Sequence, residues 1–232
     1  SGSSTPYVSK GLNSDRIPGT ERHLISLQYS DSDFLGQELV GQVYYRDESL
    51  RYYPFPTVNA NKQATAFSSS QQDTDQYGMK LTLNSQLMDG WQITWGLDAE
   101  HERFTSNQMF FDLAQASASG GLNNHKIYTT GRYPSYDITN LAAFLQSSYD
   151  INDIFTVSGG VRYQYTENRV DDFIDYTQQQ KIAAGKAISA DAIPGGSVDY
   201  DNFLFNAGLL MHITERQQAW FNFSQGVALP DP

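Results

Sequence analysis

Tyr77-Gly78-Met79-Lys80-Leu81-Thr82-Leu83-Asn84-Ser85, the connection Gln86-Leu87-Met88-Asp89-Gly90, and Trp91-Gln92-Ile93-Thr94-Trp95-Gly96-Leu97-Asp98-Ala99-Glu100 together decide the fold. On the first arm Tyr77, Met79, Leu81 and Leu83 alternate with Gly78, Lys80, Thr82 and Asn84. On the second, Trp91, Ile93, Trp95, Leu97 and Ala99 alternate with Gln92, Thr94, Gly96, Asp98 and Glu100. Side chains on a strand point to opposite faces in turn, so each arm is a strand with one apolar and one polar face, and Asp-Gly turns the chain back.

The same period runs outward in both directions. Ile25, Leu27 and Tyr29 oppose Ser26 and Gln28, and Leu39, Gly41, Val43 and Tyr45 oppose Gln42 and Arg46. Leu141, Ala143, Leu145 and Tyr149 share one face, with Phe144 an irregularity on the other. Phe155, Val157, Val161, Tyr163 and Tyr165 follow, then Phe203, Phe205, Ala207, Leu209, Met211 and Ile213, and finally Ala219, Phe221 and Phe223. This predicts about eight strands, each long enough for the 9 to 11 residues of a tilted membrane-barrel strand.

Connection length carries the next inference. Short links at 31–37, 86–90, 151–154 and 215–217 alternate with long ones at 55–75, 106–137 and 168–199. Outer-membrane barrels put short turns on the periplasmic side and long loops outside. The fold class expected is therefore all-β, an antiparallel transmembrane β-barrel section. Gln28, Gln42, Arg46, Lys80, Asn84, Gln92, Asp98, Glu100, Arg162 and Asn206 would face a wet interior, and the apolar face would meet outer-membrane lipid. A soluble β-sandwich also alternates, although its strands are usually shorter and its loops do not segregate by length.

Composition removes several classes of function. The 232 residues contain no Cys, which excludes disulfide frameworks, thiolate metal sites and thiol catalysis. A net charge of −11 leaves no basic footprint for nucleic acid. The 15 Tyr and 13 Phe in a polar chain fit rings gathered where an apolar band meets water. No apolar run approaches the roughly 20 residues of a membrane helix, and no signal peptide is visible at the start. Both ends read as cuts through loops.

Catalytic and metal signatures are weak. His23, His101, His125 and His212 lie far apart without ligand spacing, and Asp98, Glu100 and Glu102 read as a solvated wall sharing one face. No nucleophile elbow or phosphate loop occurs. A barrel enzyme using His101 or His212, and a small eight-stranded barrel with a structural or adhesion role, stay open as alternatives. The expectation is no enzyme, no cofactor and no metal site. Two clusters stand at the loop ends: Arg51-Tyr52-Tyr53-Pro54-Phe55 and Arg132-Tyr133-Pro134-Ser135-Tyr136. Arg and Tyr combine contact area with directional donors, and Arg matches carboxylates bidentately, so these segments suit a bulky anionic ligand. An aromatic girdle with snorkelling cations is the competing reading.

The last strand, Trp220-Phe221-Asn222-Phe223-Ser224-Gln225-Gly226-Val227-Ala228-Leu229-Pro230, resembles an aromatic-x-aromatic-Ser-x-Gly-aromatic-x-x-Pro element of TonB-dependent receptors, with Val227 in place of the aromatic. Gly160-Val161-Arg162-Tyr163 is similar to a recurrent strand core of the same family. Nearly the whole chain resembles its ferric-siderophore receptors. The resemblance implies that residues 1–232 are part of a 22-stranded barrel, with the plug domain and the remaining strands outside this chain. It implies uptake of an iron-loaded citrate-hydroxamate siderophore, iron entering only as that ligand, with energy from TonB through the plug. Long loops are also an expected landing surface for bacteriocins or phage. The residues expected to contact the siderophore are Arg51, Tyr52, Tyr53, Arg132 and Tyr133, with Arg46 and Arg162 lower on the inner wall.

Overall fold

The structure, a computed structural model, describes residues 18–226. The motif residues Val227 to Pro230 and the N-terminal segment lie outside that range. Strands β1 (Gly19–Phe34) and β2 (Gln37–Arg51) form the first hairpin. Its turn places Leu35 at φ 53° and Gly36 at φ 78°, the two positive values that match the twist of paired strands. The short β3 (Phe55–Val58) precedes β4 (Ala64–Met88) and β5 (Trp91–Phe111). Helix α1 (Leu113–Ala118) and strand β6 (Lys126–Gly131) lead to β7 (Tyr136–Asp150) and β8 (Phe155–Val170). Helix α2 (Tyr176–Ala183) precedes β9 (Gly196–Thr214) and β10 (Gln217–Ser224).

All strands belong to one antiparallel sheet in the order β1-β2-β4-β5-β7-β8-β9-β10, with β3 beside β4 and β6 beside β5. The sequential order follows from hairpin connections, which need no crossover. Among the described residues no second sheet covers the first, which removes the sandwich reading. The path does not close, because β1 and β10 each have a single neighbour among the described residues. A complete eight-stranded barrel would pair them, so the alternative of a small closed barrel is not what forms.

Short links connect β1 to β2, β4 to β5, β7 to β8 and β9 to β10, all at one end of the sheet, as the loop lengths predict. The long connections differ from expectation. Residues 64–75, 105–111, 126–131 and 196–199 are strand, and β4 pairs with β5 without a break from Phe67↔Phe111 to Gln86↔Gln92. Ser68-Ser69-Ser70-Gln71-Gln72 is polar on both faces, so no alternation marks it as strand, yet its main chain pairs as readily as that of the apolar arm. Beyond it Phe67, Phe111 and Ala116 form a small core against Met109 and Leu113. Asp112 caps α1 by accepting from the Gln115 N–H at 2.8 Å.

The apolar face is exposed, with Leu27 at 71% and Leu97 at 42%. Aromatic contacts bound it: Trp91 packs edge-on to Tyr149 near the short turns, and Tyr77 lies 5.1 Å from the His101 ring at the other end. The step from Trp91 to His101 is about 33 Å along β5, or about 25 Å of height at a tilt of about 40°, which matches the apolar band of an outer-membrane barrel. The polar face explains Phe144. A Cβ on Gly96 would meet the Phe144 ring at 2.6 Å, so the ring lies flat over the glycine of the neighbouring strand. Tyr44 covers Gly78 in the same way, at 2.7 Å.

Candidate functional site

The polar face of β5 carries Asp98, Glu100, Glu102, Phe104, Ser106, Gln108 and Phe110 in ascending order, because every second residue shares a face. Its lower part is a ladder of charge pairs. Arg162 Nη1 donates to Asp98 Oδ2 at 2.8 Å, and the Tyr44 hydroxyl donates to Glu100 Oε2 at 2.5 Å. Arg46 Nη2 lies 3.9 Å from Glu102 Oε2, and Arg46 Nε is buried without an acceptor. Asp98, Glu100 and Glu102 thus share a face, and each meets a donor from a strand two places away in the sheet, Tyr44 and Arg46 on β2 and Arg162 on β8.

Aromatic rings replace charges above the ladder. Phe104 and Tyr136 stack at 4.8 Å with their planes 15° apart. They line a recess of about 310 Å³ with Gln72, Tyr133, Pro134 and Val170. Phe110 stacks on Tyr128 at 4.8 Å and touches the Tyr176 ring at 6.1 Å. Burial pushes the Tyr128 and Tyr136 phenols above their ordinary range, so both remain neutral donors at physiological pH.

Arg132 joins the two aromatic groups. Its backbone N–H donates to Ser106 O at 3.1 Å, which fixes it beside the polar-face ladder of β5. Its guanidinium lies 5.3 Å from the centroid of Tyr133 and 5.1 Å from that of Tyr176. Tyr176 opens α2, which docks on the free edge of β6. There Gln179 Oε1 accepts from the Gly131 N–H at 2.7 Å, and Gln179 Nε2 donates to Ile174 O at 2.6 Å. Asp175 caps the helix by accepting from the Thr177 N–H at 2.9 Å.

Four of the seven expected ligand residues fall on the polar side: Arg132 and Tyr133 at the mouth, Arg46 and Arg162 lower down. Arg51 does not join them. It shares the face of Val43 and Tyr45, where its guanidinium meets Glu21 Oε2 at 2.5 Å. Tyr52 and Tyr53 are exposed past the end of β2, where Tyr52 N–H donates to Ser70 O at 3.0 Å. Tyr136 closes the Arg132-Tyr133-Pro134-Ser135-Tyr136 cluster of the sequence without being one of the expected contacts, and Phe104, Phe110, Tyr128 and Tyr176 are additions from the structure. Extending the alternation of Asp98, Glu100 and Glu102 upward reaches Phe104 and Phe110, whereas Tyr176 comes from a distant loop and leaves no such trace.

The histidines stay apart. His101 Nδ1 is 2.9 Å from Thr139 Oγ1 on the apolar side, and His23 Nδ1 is 3.1 Å from Asp47. Among the described residues no group of three or more His, Cys, Asp or Glu could hold a metal ion.

Residues 2–232 match the family model for the TonB dependent receptor-like β-barrel. The chain belongs to the TonB-dependent receptor family. It is 90% identical to the ferric aerobactin receptor of Klebsiella pneumoniae and 84% identical to that of Escherichia coli, over 100% of this chain. The rhizobactin receptor of Rhizobium meliloti is 44% identical over 96% of it. The chain spans 32%, 31% and 30% of these relatives' lengths. Its fold is similar to the copper transporter OprC, with a TM-score of 0.66 at 14% identity over 91% of this chain and 31% of that one. It is also similar to the unliganded ferric citrate transporter FecA, with a TM-score of 0.58 at 15% identity over 88% and 27%. The sheet is therefore a section of a TonB-dependent receptor barrel. The curated relatives are receptors.

Proposed function

We propose that this chain supplies part of the wall and extracellular mouth of an outer-membrane receptor that takes up ferric aerobactin, or a close citrate-hydroxamate relative, with energy delivered by TonB through a plug. The remaining strands and the plug would come from the rest of the receptor. The observation that carries the reading is 90% identity with a ferric aerobactin receptor over the whole chain. The geometry supports it: aromatic recess and arginine stand together above a charge ladder.

The binding chemistry follows from these parts. A ferric chelate bearing free carboxylates is bulky, partly apolar and anionic. Stacked Phe104 and Tyr136 offer rigid apolar area at little entropic cost, while Arg132 supplies planar donors for a carboxylate. No bond is made or broken by these residues, and the ligand moves inward when the plug rearranges.

The test is equilibrium binding of ferric aerobactin, ferric citrate and a ferric catecholate to the full-length receptor. Ferric aerobactin should bind at least 100-fold more tightly than the other two, about 2.7 kcal/mol. Comparable affinity for all three would refute the assignment of cargo.

A further inference from the structure

We infer that Arg132, clamped between Tyr133 and Tyr176, is the specificity-determining residue that reads a free carboxylate on the ligand, and that Tyr176 is the positioning residue that holds it ready. This rests on the siderophore reading above and names the group that reads the cargo's charge.

Contrast among the arginines carries the argument. Arg22 meets Glu48, Arg46 meets Glu102, Arg51 meets Glu21, Arg103 meets Asp137 and Asp171, and Arg162 meets Asp98, whereas Arg169 and Arg216, which make no ion pair among the described residues, are exposed to water. Arg132 has no carboxylate within ion-pair distance and no side-chain hydrogen bond among the described residues. It is half-buried all the same. A guanidinium withdrawn from water is ordinarily paired, because the lost hydration must be replaced. Here two aromatic faces provide partial replacement, and their quadrupoles attract the cation without occupying its N–H edge. The donors therefore remain free of other acceptors, in the fork geometry that a carboxylate accepts bidentately.

The adjoining recess gives the anion somewhere to belong. Tyr133 is shared between the clamp and the recess of about 310 Å³ that Phe104 and Tyr136 line, so a ligand whose body rests on those rings lies next to Arg132. Tyr133 and Tyr176 come from different connections, and the clamp forms only when α2 is docked on β6. Gln179 makes that docking specific by satisfying the edge N–H of Gly131. The α2 connection thus sets the rotamer of a ligand-reading arginine without having to touch the iron centre. Preorganising the guanidinium removes an entropic cost that a free arginine would incur on binding.

The test uses the full-length receptor and two probes: ferric aerobactin, and ferric aerobactin whose free carboxyl groups have been converted to primary amides. Arg132→Gln should weaken the carboxylate probe at least tenfold and leave the amide probe within twofold. Tyr176→Phe, which keeps the ring, should behave as the parent. Tyr176→Leu should weaken the carboxylate probe about fivefold and spare the amide. Equal loss for both probes in Arg132→Gln or Tyr176→Leu would mean a merely structural role and overturn the inference, as would an unchanged affinity for the carboxylate probe. If the parent binds neither probe, the siderophore reading fails and this inference with it; if it binds both equally, only the inference fails.

Discussion

Replacing Gly96 by alanine should destabilise the wall, whereas the same change at Gly159 should not. On Gly96 the new methyl would meet the Phe144 ring at 2.6 Å and crowd the Leu81 carbonyl oxygen, a backbone atom that cannot rotate away. On Gly159 it meets only Asn206 O at 3.6 Å, an ordinary van der Waals contact. Overpacking of this kind costs about 1–3 kcal/mol. At an unstrained glycine, alanine gains about 0.4–1 kcal/mol by restricting the unfolded chain. The two variants should therefore differ by about 1.5–4 kcal/mol. The assay is the temperature at which the full-length receptor in detergent converts from its compact to its unfolded gel mobility, with Phe144→Ala as a second background. Removing the ring should recover about 1 kcal/mol of the Gly96→Ala cost, because the substitutions share a contact. Equal midpoints for Gly96→Ala and Gly159→Ala, or no coupling with Phe144→Ala, would refute the assignment of Gly96 and Phe144 to one interdigitated polar face.

Leu97→Arg, which puts a cation in the middle of the apolar band, should cost about 2–4 kcal/mol and lower the folded fraction in vesicles, while Gln42→Arg on the polar face should be tolerated; equal folded fractions would reverse the face assignment. In a double-mutant cycle on Asp98 and Arg162, each about one-third exposed, the coupling energy should be about 1 kcal/mol and should shrink in 1 M salt. No measurable coupling would show that the pair at 2.8 Å contributes nothing to the wall.

Tyr77 to Glu100 discloses the sheet because one face is apolar and the other polar, so the period of two holds along the whole stretch. Above the band that alternation lapses. Ser68 to Gln72 is polar on both faces, held by main-chain pairing and by side-chain hydrogen bonds such as Gln108 to Ser68, and with no alternation those residues read as loop. Counting by twos from Val43 and Tyr45 assigns Arg51 to the apolar side, a parity that a cluster defined by residue type does not carry. Residue type and position suffice to pick out Arg132 and Tyr133 as candidates, and the structure sets both beside the aromatic recess. They do not pick out Tyr176, since its place depends on α2 finding the free edge of β6, a tertiary event with no local pattern.

Disulfide trapping between cysteines placed at Ser26 on β1 and Asn222 on β10 of the full-length receptor tests most directly whether this sheet is an open section of a larger barrel. Both positions lie on the polar face, at opposite edges of the sheet. A disulfide needs Cα atoms within about 7 Å, which only a closed ring of these strands would provide. The account predicts no crosslink under oxidation, alongside efficient crosslinking of a control pair at the facing positions Ser26 and Tyr44. Efficient trapping of Ser26 with Asn222 would mean that the strands close on themselves, and would contradict the account.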